Sequence, residues 1–115
     1  MSCNATVRNV GNVAIIDLSG RVTLGEGSGL VRSTVKDLSK GGQVNILVNL
    51  AEVTYMDSAG LGELVGSYAS VTNAGGRIRL LNAQGKVSEV LTVTKLYTVF
   101  ESFSNEAEAV RSFSV

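Results

Sequence analysis

Histidine does not occur in this chain, and its absence removes more chemistry than any residue present adds. Without it there is no Ser-His-Asp triad, no imidazole acid or base and no histidine metal ligand. Proline is missing too, so no helix or strand is interrupted by its ring. Cysteine occurs once, as Cys3; a disulfide within the chain is excluded, and the residue reads as part of a frayed terminus. Neither sign of charge dominates, since ten Lys and Arg balance ten Asp and Glu. No basic stripe is visible, and a nucleic-acid footprint is not expected. No apolar run approaches the length of a membrane span, so no membrane insertion is expected. Met1-Ser2-Cys3-Asn4-Ala5-Thr6 carries neither a basic start nor an apolar h-region. No secretory signal is read there, and the expectation is a cytoplasmic protein.

What is present is a chain of 115 residues, 44% apolar and 17% charged, enough for one core and one domain. Ala5–Val10 and Val13–Leu18 have strand character and are parted by Gly11-Asn12, a pair suited to a tight hairpin. Gly20-Arg21-Val22-Thr23 reads as the chain leaving the second strand, and Leu24-Gly25-Glu26-Gly27-Ser28-Gly29 as a loop with Ser28 as helix N-cap. Val31, Thr34, Val35 and Leu38 then recur at helical spacing, closed by Lys40-Gly41-Gly42. Val44–Leu50 is nearly continuously apolar, as in a central strand buried on both faces, with Asn45 and Asn49 interrupting it.

A second helix is predicted from about Ser58 to Asn73, ended by Gly75-Gly76, followed by a strand over Arg77–Asn82. Gln84–Val93 carries Val87, Val90 and Leu91 at helical spacing, and Tyr97–Phe103 alternates like a final edge strand. Asn105-Glu106-Ala107-Glu108 resembles a capping box and opens a last helix with Val110 and Phe113 inward. The predicted fold is α/β, with a mixed four- to five-stranded sheet, about four helices and the order β-β-α-β-α-β-α-β-α.

The chain is organised around Val53-Thr54-Tyr55-Met56-Asp57-Ser58-Ala59-Gly60-Leu61-Gly62. Here a strand hands over to a helix, the place where open α/β sheets put function. In the plainest reading Asp57 caps the helix and Ser58 is an ordinary first-turn residue. Gly60 and Gly62 are costly so early in a helix. Either a partner's backbone must approach closely there, or the entering chain crosses another element tightly. A nucleophile elbow would need glycine two residues before Ser58, where Met56 stands, and the chain holds no histidine to serve as base. As a phosphoacceptor the same serine needs no internal base. Leu24, Val53, Tyr55 and Met56 are expected to form an apolar rim around it. The loop Gly25-Glu26-Gly27-Ser28-Gly29 lacks the Gly-Lys-Ser/Thr of a phosphate-binding loop and reads as a connection.

At Asp57-Ser58-Ala59-Gly60-Leu61-Gly62, preceded by Asn49-Leu50-Ala51-Glu52-Val53-Thr54-Tyr55-Met56, the sequence resembles the bacterial anti-sigma-factor antagonists, single-domain members of the STAS family. The likeness extends from about Val13 to Phe103 and includes Ser19-Gly20-Arg21-Val22-Thr23 and Asn73-Ala74-Gly75-Gly76. It implies a STAS-like fold and a non-enzymatic regulator without cofactor or metal. The protein would bind an anti-sigma factor that is also a serine kinase, and would be released when Ser58 is phosphorylated. A metal-dependent serine phosphatase would reverse the step. Partner contacts are expected from Met56, Asp57, Ala59, Gly60, Leu61, Gly62 and Leu64, with Thr23 and Glu26 on the neighbouring loop, in a monomer or weak dimer. Ala59 stands where many relatives have a second serine, leaving Ser58 the one hydroxyl at that tip. A non-switching scaffold subunit of a stress-signalling or transport complex is the alternative.

Overall fold

The structure is a computed structural model and describes residues 3–24 and 28–114. Asn4–Val10 (β1) and Val13–Val22 (β2) pair antiparallel across Gly11-Asn12. Then come Ser28–Lys40 (α1), Asn45–Met56 (β3), Ser58–Asn73 (α2), Arg77–Leu81 (β4) and Gly85–Val93 (α3). A 3-10 turn at Leu96–Thr98, Ser102–Phe103 (β5) and Glu106–Ser112 (α4) complete the described chain. The strands lie side by side in chain order, β1-β2-β3-β4-β5, and every pair after the first is parallel. The predicted element order and mixed sheet are both found.

Alternate strand residues face opposite ways, and the two faces are covered unequally. Ile16, Leu18, Ile46, Val48, Leu50, Ile78 and Leu80 lie beneath α1, α2 and α3, which contribute Val31, Val35, Leu61, Leu64, Val71, Val87 and Leu91. On the other face Val13, Ile15, Leu47 and Leu81 meet Ala109 of α4 and Phe113 just beyond it, with Phe103 and Val110 packed against them. That face continues as a polar row. Asn49 Nδ2 donates to Asp17 Oδ1 at 2.8 Å, and Asn82 Nδ2 donates to Asn49 Oδ1 at 3.1 Å. Arg8 reaches Asp17 and Glu106, each at 2.6 Å. The asparagine that interrupts the apolar run is therefore a satisfied cross-strand tie.

Both long helices end the same way. Gln43 N–H donates to Leu38 O and Gly42 N–H to Ser39 O; Gly76 N–H donates to Val71 O and Gly75 N–H to Thr72 O. These are paired Schellman bonds, and they put Gly42 and Gly75 at φ +86° and +83°. Positive φ thus calls for glycine at the second place of the first Gly-Gly and the first place of the second, while at Gly76 a Cβ would strike the Val44 carbonyl oxygen.

Four expectations are corrected. β2 runs to Val22 and β3 to Met56, further than the apolar runs indicate. The pairing slips between Asp17 and Ser19 and again between Gly20 and Arg21, and Gly20 sits at φ +91°. A bulged strand can carry such a glycine without ending. Tyr97–Phe103 is a 3-10 turn and a bend, with strand only at Ser102–Phe103. Lys95 at φ +62° starts that turn, and Phe100 still points into the core. Cys3 is buried against the core rather than frayed, and this burial raises its thiol pKa.

Candidate functional site

The extra length of β2 and β3 builds the site. Arg21 pairs with Tyr55 and Val22 with Met56, so the two strands finish together where α2 begins. Asp57 follows in extended conformation and uses all its polar atoms to join the pieces. Its N–H donates to Val22 O at 3.3 Å. Its Oδ1 accepts from Gly60 N–H at 2.9 Å, and its Oδ2 from Leu24 N–H at 3.2 Å. It is the predicted N-cap, and it also holds the start of the loop after β2. The Gly60 N–H most of all, with that of Leu24, keeps the carboxyl below its usual range, against a smaller desolvation effect. The carboxylate is therefore charged at neutral pH.

Gly60 and Gly62 differ in what stands across from them, and Gly60 fits the reading of a tight crossing. A Cβ at Gly60 would land on the Val22 carbonyl oxygen and come within 2.8 Å of Val22 Cγ1. There the helix crosses β2 too closely for a side chain. A Cβ at Gly62 would meet nothing within 4 Å, and the residue is exposed. Ser58, first residue of α2, is exposed and its hydroxyl makes no hydrogen bond among the described residues. It sits at the positive end of the helix dipole.

The expected rim is only partly present. Leu24 and Tyr55 are exposed, whereas Val53 is buried and Met56 is 1% exposed. Leu64 is completely buried and Leu61 nearly so. Leu64 can act at the site only by anchoring α2, because its side chain has no open face. Thr23 is buried and Ala59 half-buried; Gly25, Glu26 and Gly27, and the Ser28 side chain expected as a cap, lie outside what the structure describes.

The other wall comes from an element that sequence reasoning left out. An open cleft of about 370 Å³ runs from Tyr55, Met56, Asp57, Ser58 and Leu61 to Glu89, Val90, Val93 and Thr94 of α3. Val93 is 81% exposed there. Its signal was available: a valine off the Val87-Val90-Leu91 stripe of a short helix has no core to enter.

The sequence model of the STAS domain family matches residues 4–109. Two curated relatives are equally similar. One is an anti-sigma F factor antagonist of Paenibacillus polymyxa, 27% identical over 104 residues, covering 90% of this chain and 88% of that protein. The other is an anti-sigma-B factor antagonist of Bacillus subtilis (strain 168), 27% identical over 101 residues, covering 88% and 91%. Among solved structures, that of a candidate anti-sigma factor antagonist from Thermotoga maritima superposes with TM-score 0.88 at 26% identity, covering 96% of this chain and 95% of that one.

Proposed function

The chain belongs to the STAS domain family, and we propose that it works as an anti-sigma-factor antagonist switched by phosphorylation of Ser58. The observation that carries this reading is the tip itself. An exposed serine hydroxyl, without a hydrogen bond among the described residues, stands on a helix end that Asp57, the residue after β3, ties to the end of β2. A kinase needs an accessible hydroxyl, and a docked partner needs a rigid surface; the tip supplies both. The similarity to anti-sigma factor antagonists over nine-tenths of the chain supports the partner class. Equal similarity to F-type and B-type antagonists favours no particular sigma factor.

Unphosphorylated protein binds an anti-sigma factor through the first turn of α2 and the cleft toward α3. Gly62 leaves room for the partner's backbone, and Tyr55, Leu61 and Val93 offer apolar contact. The anti-sigma factor, as serine kinase, transfers a phosphoryl group to Ser58 Oγ. The product carries about −1.5 to −2 extra charges, next to the already anionic Asp57. The helix dipole tolerates that charge in the free protein, whereas a desolvated interface does not, and the partner is released. A loss of about 3 kcal/mol on docking is about a hundredfold in affinity, enough for a switch. A serine phosphatase resets it. The protein itself contributes no catalytic group, and its place of work is the cytoplasm.

The test is intact-mass analysis with the cognate kinase and ATP, alongside partner binding by calorimetry. One phosphate is expected on the wild type and none on Ser58→Ala, which keeps partner binding; Ser58→Asp loses it. Unchanged labelling of Ser58→Ala would overturn the assignment. A stable complex purified from cells with Ser58 unmodified would favour the scaffold alternative.

A further inference from the structure

Away from the tip, α1 and α2 enclose a second cleft, of about 260 Å³, lined by Arg32, Val35, Lys36 and Ser39 of α1 and by Ser67 and Ser70 of α2. Its composition is unlike that of a packing defect. Two cations and three hydroxyls converge on it, with one apolar side chain. Helices that pack for stability alone bury apolar residues along their seam, and here α2 presents Gly66, Ser67 and Ser70 instead.

Three details indicate a space built to hold a group. Ser67 is 1% exposed, yet its Oγ has no hydrogen-bond partner among the described residues; Glu63 Oε1, one turn earlier on α2, is likewise buried and unpartnered. A buried hydroxyl left unsatisfied costs free energy that an apolar residue of the same size would not. Gly66 clears the way for Arg32: a Cβ there would come within 3.0 Å of the guanidinium Cζ and Nη1. The guanidinium therefore lies over Gly66 of α2, and it lines the same cleft as Ser67. Finally, the charge of the two cations is barely answered. Arg32 has one loose ion pair, Nη1 to Glu63 Oε2 at 3.8 Å, and Lys36 has none among the described residues.

We propose that the α1–α2 cleft is a binding site for a small phosphate-type oxyanion, the ion itself or a compact phosphomonoester. Arg32 supplies a planar fork for two oxygens, Lys36 a second charge, and Ser67 Oγ a buried donor. Ser39 and Ser70 hydroxyls close the rim. The volume lies just under the range of about 300–1,000 Å³ usual for drug-sized ligands, which sets the upper size of the occupant. Among the described residues Glu63 is the one acidic side chain paired with this cluster, and the anion competes with it for Arg32. The site is distinct from the amino end of α2. Ser67 is nine residues beyond Ser58, about 13 Å along the helix at 1.5 Å per residue.

The experiment is a titration of the full chain followed by amide NMR, with inorganic phosphate in one arm and glycerol 3-phosphate in the other. Ionic strength is held constant with chloride. Saturable shifts centred on Arg32–Ser39 and Gly66–Ser70 are expected. Arg32→Gln should weaken binding at least tenfold, Ser67→Ala several-fold, and Ser58→Ala not at all. Arg32 is exposed and Ser67→Ala is nearly isosteric, so both variants should fold, and their unperturbed spectra establish that they do. Tighter binding of phosphate identifies a free-ion site; tighter binding of the ester identifies a metabolite site. The proposal is overturned by non-saturating shifts, by equal shifts with chloride alone, or by shifts centred on Ser58–Gly60.

Discussion

The first turn of α2 has an inner and an outer side, and two glycines two residues apart mark them. On the inner side Gly60 is pressed against the Val22 carbonyl, and Asp57 bonds to Val22, Leu24 and Gly60. On the outer side Gly62 faces open space, one turn from a serine whose hydroxyl has no bond among the described residues. The same residue type thus serves opposite ends: one glycine removes bulk so that protein can close on protein, and the other leaves space uncovered. Under the proposed switch the outer side gains from a firm mounting, and the inner side supplies it.

Four substitutions would break or sharpen this contrast. Gly60→Ala should have the largest effect, about 3 kcal/mol of destabilisation from overpacking against backbone, read by urea unfolding; a neutral result would mean the crossing can relax. Asp57→Asn removes a charged acceptor from both N–H donors, and hydrogen exchange at Leu24 and Gly60 should accelerate together. It should also change the pH dependence. The carboxyl is held below its ordinary value in the fold. Its contribution is therefore complete above the unfolded pKa and is lost as pH falls through the depressed folded pKa. The wild-type unfolding midpoint should fall in acid more steeply than that of the variant.

Gly62→Ala should act in the opposite sense to Gly60→Ala. With nothing to strike, the methyl group brings up to about 1 kcal/mol of helix stabilisation, while affinity for the anti-sigma factor declines. Loss of stability there would show that the outer side is not free. Arg8→Ala should have the smallest effect, about 0.5 kcal/mol, because the pair it makes with Asp17 and Glu106 is largely exposed. Arg8 holds both carboxyls low, so this variant should flatten another part of the acid slope. The two variants together separate the tip's share of acid sensitivity from that of the sheet's far face.

How legible the tip was follows from the same contrast. Asp57 as cap, Ser58 at the helix start and α2 over Ser58–Asn73 could be read from local chemistry, because capping and helical periodicity involve residues close in sequence. The extensions of β2 and β3 could not. Gly20 looks like the end of a strand, and only pairing with β3 through a bulge keeps it inside one. The exposed β3 end, Glu52, Thr54 and Tyr55, lacks the apolar continuity by which a buried strand is recognised. The alternation at Tyr97–Phe103 misled for a related reason. Phe100 reaches the core from a turn begun by a lysine in left-handed conformation, a choice no pattern of apolar residues encodes. The roles of Gly60 and Gly62 differ only in what stands across from them, 38 residues away at Val22 for the first.

Because the strands stand in the sheet in the order in which they occur in the chain, synthesis and assembly run in the same direction. Each new strand finds its neighbour already made, and closing the loop between them involves no earlier segment. Chains emerge from the ribosome amino end first, at about 5–20 residues per second. By the time β4 is made, β2, β3 and both ends of α2 are available to one another. Ser58 can thus be mounted on its strands before β5 and α4 are made.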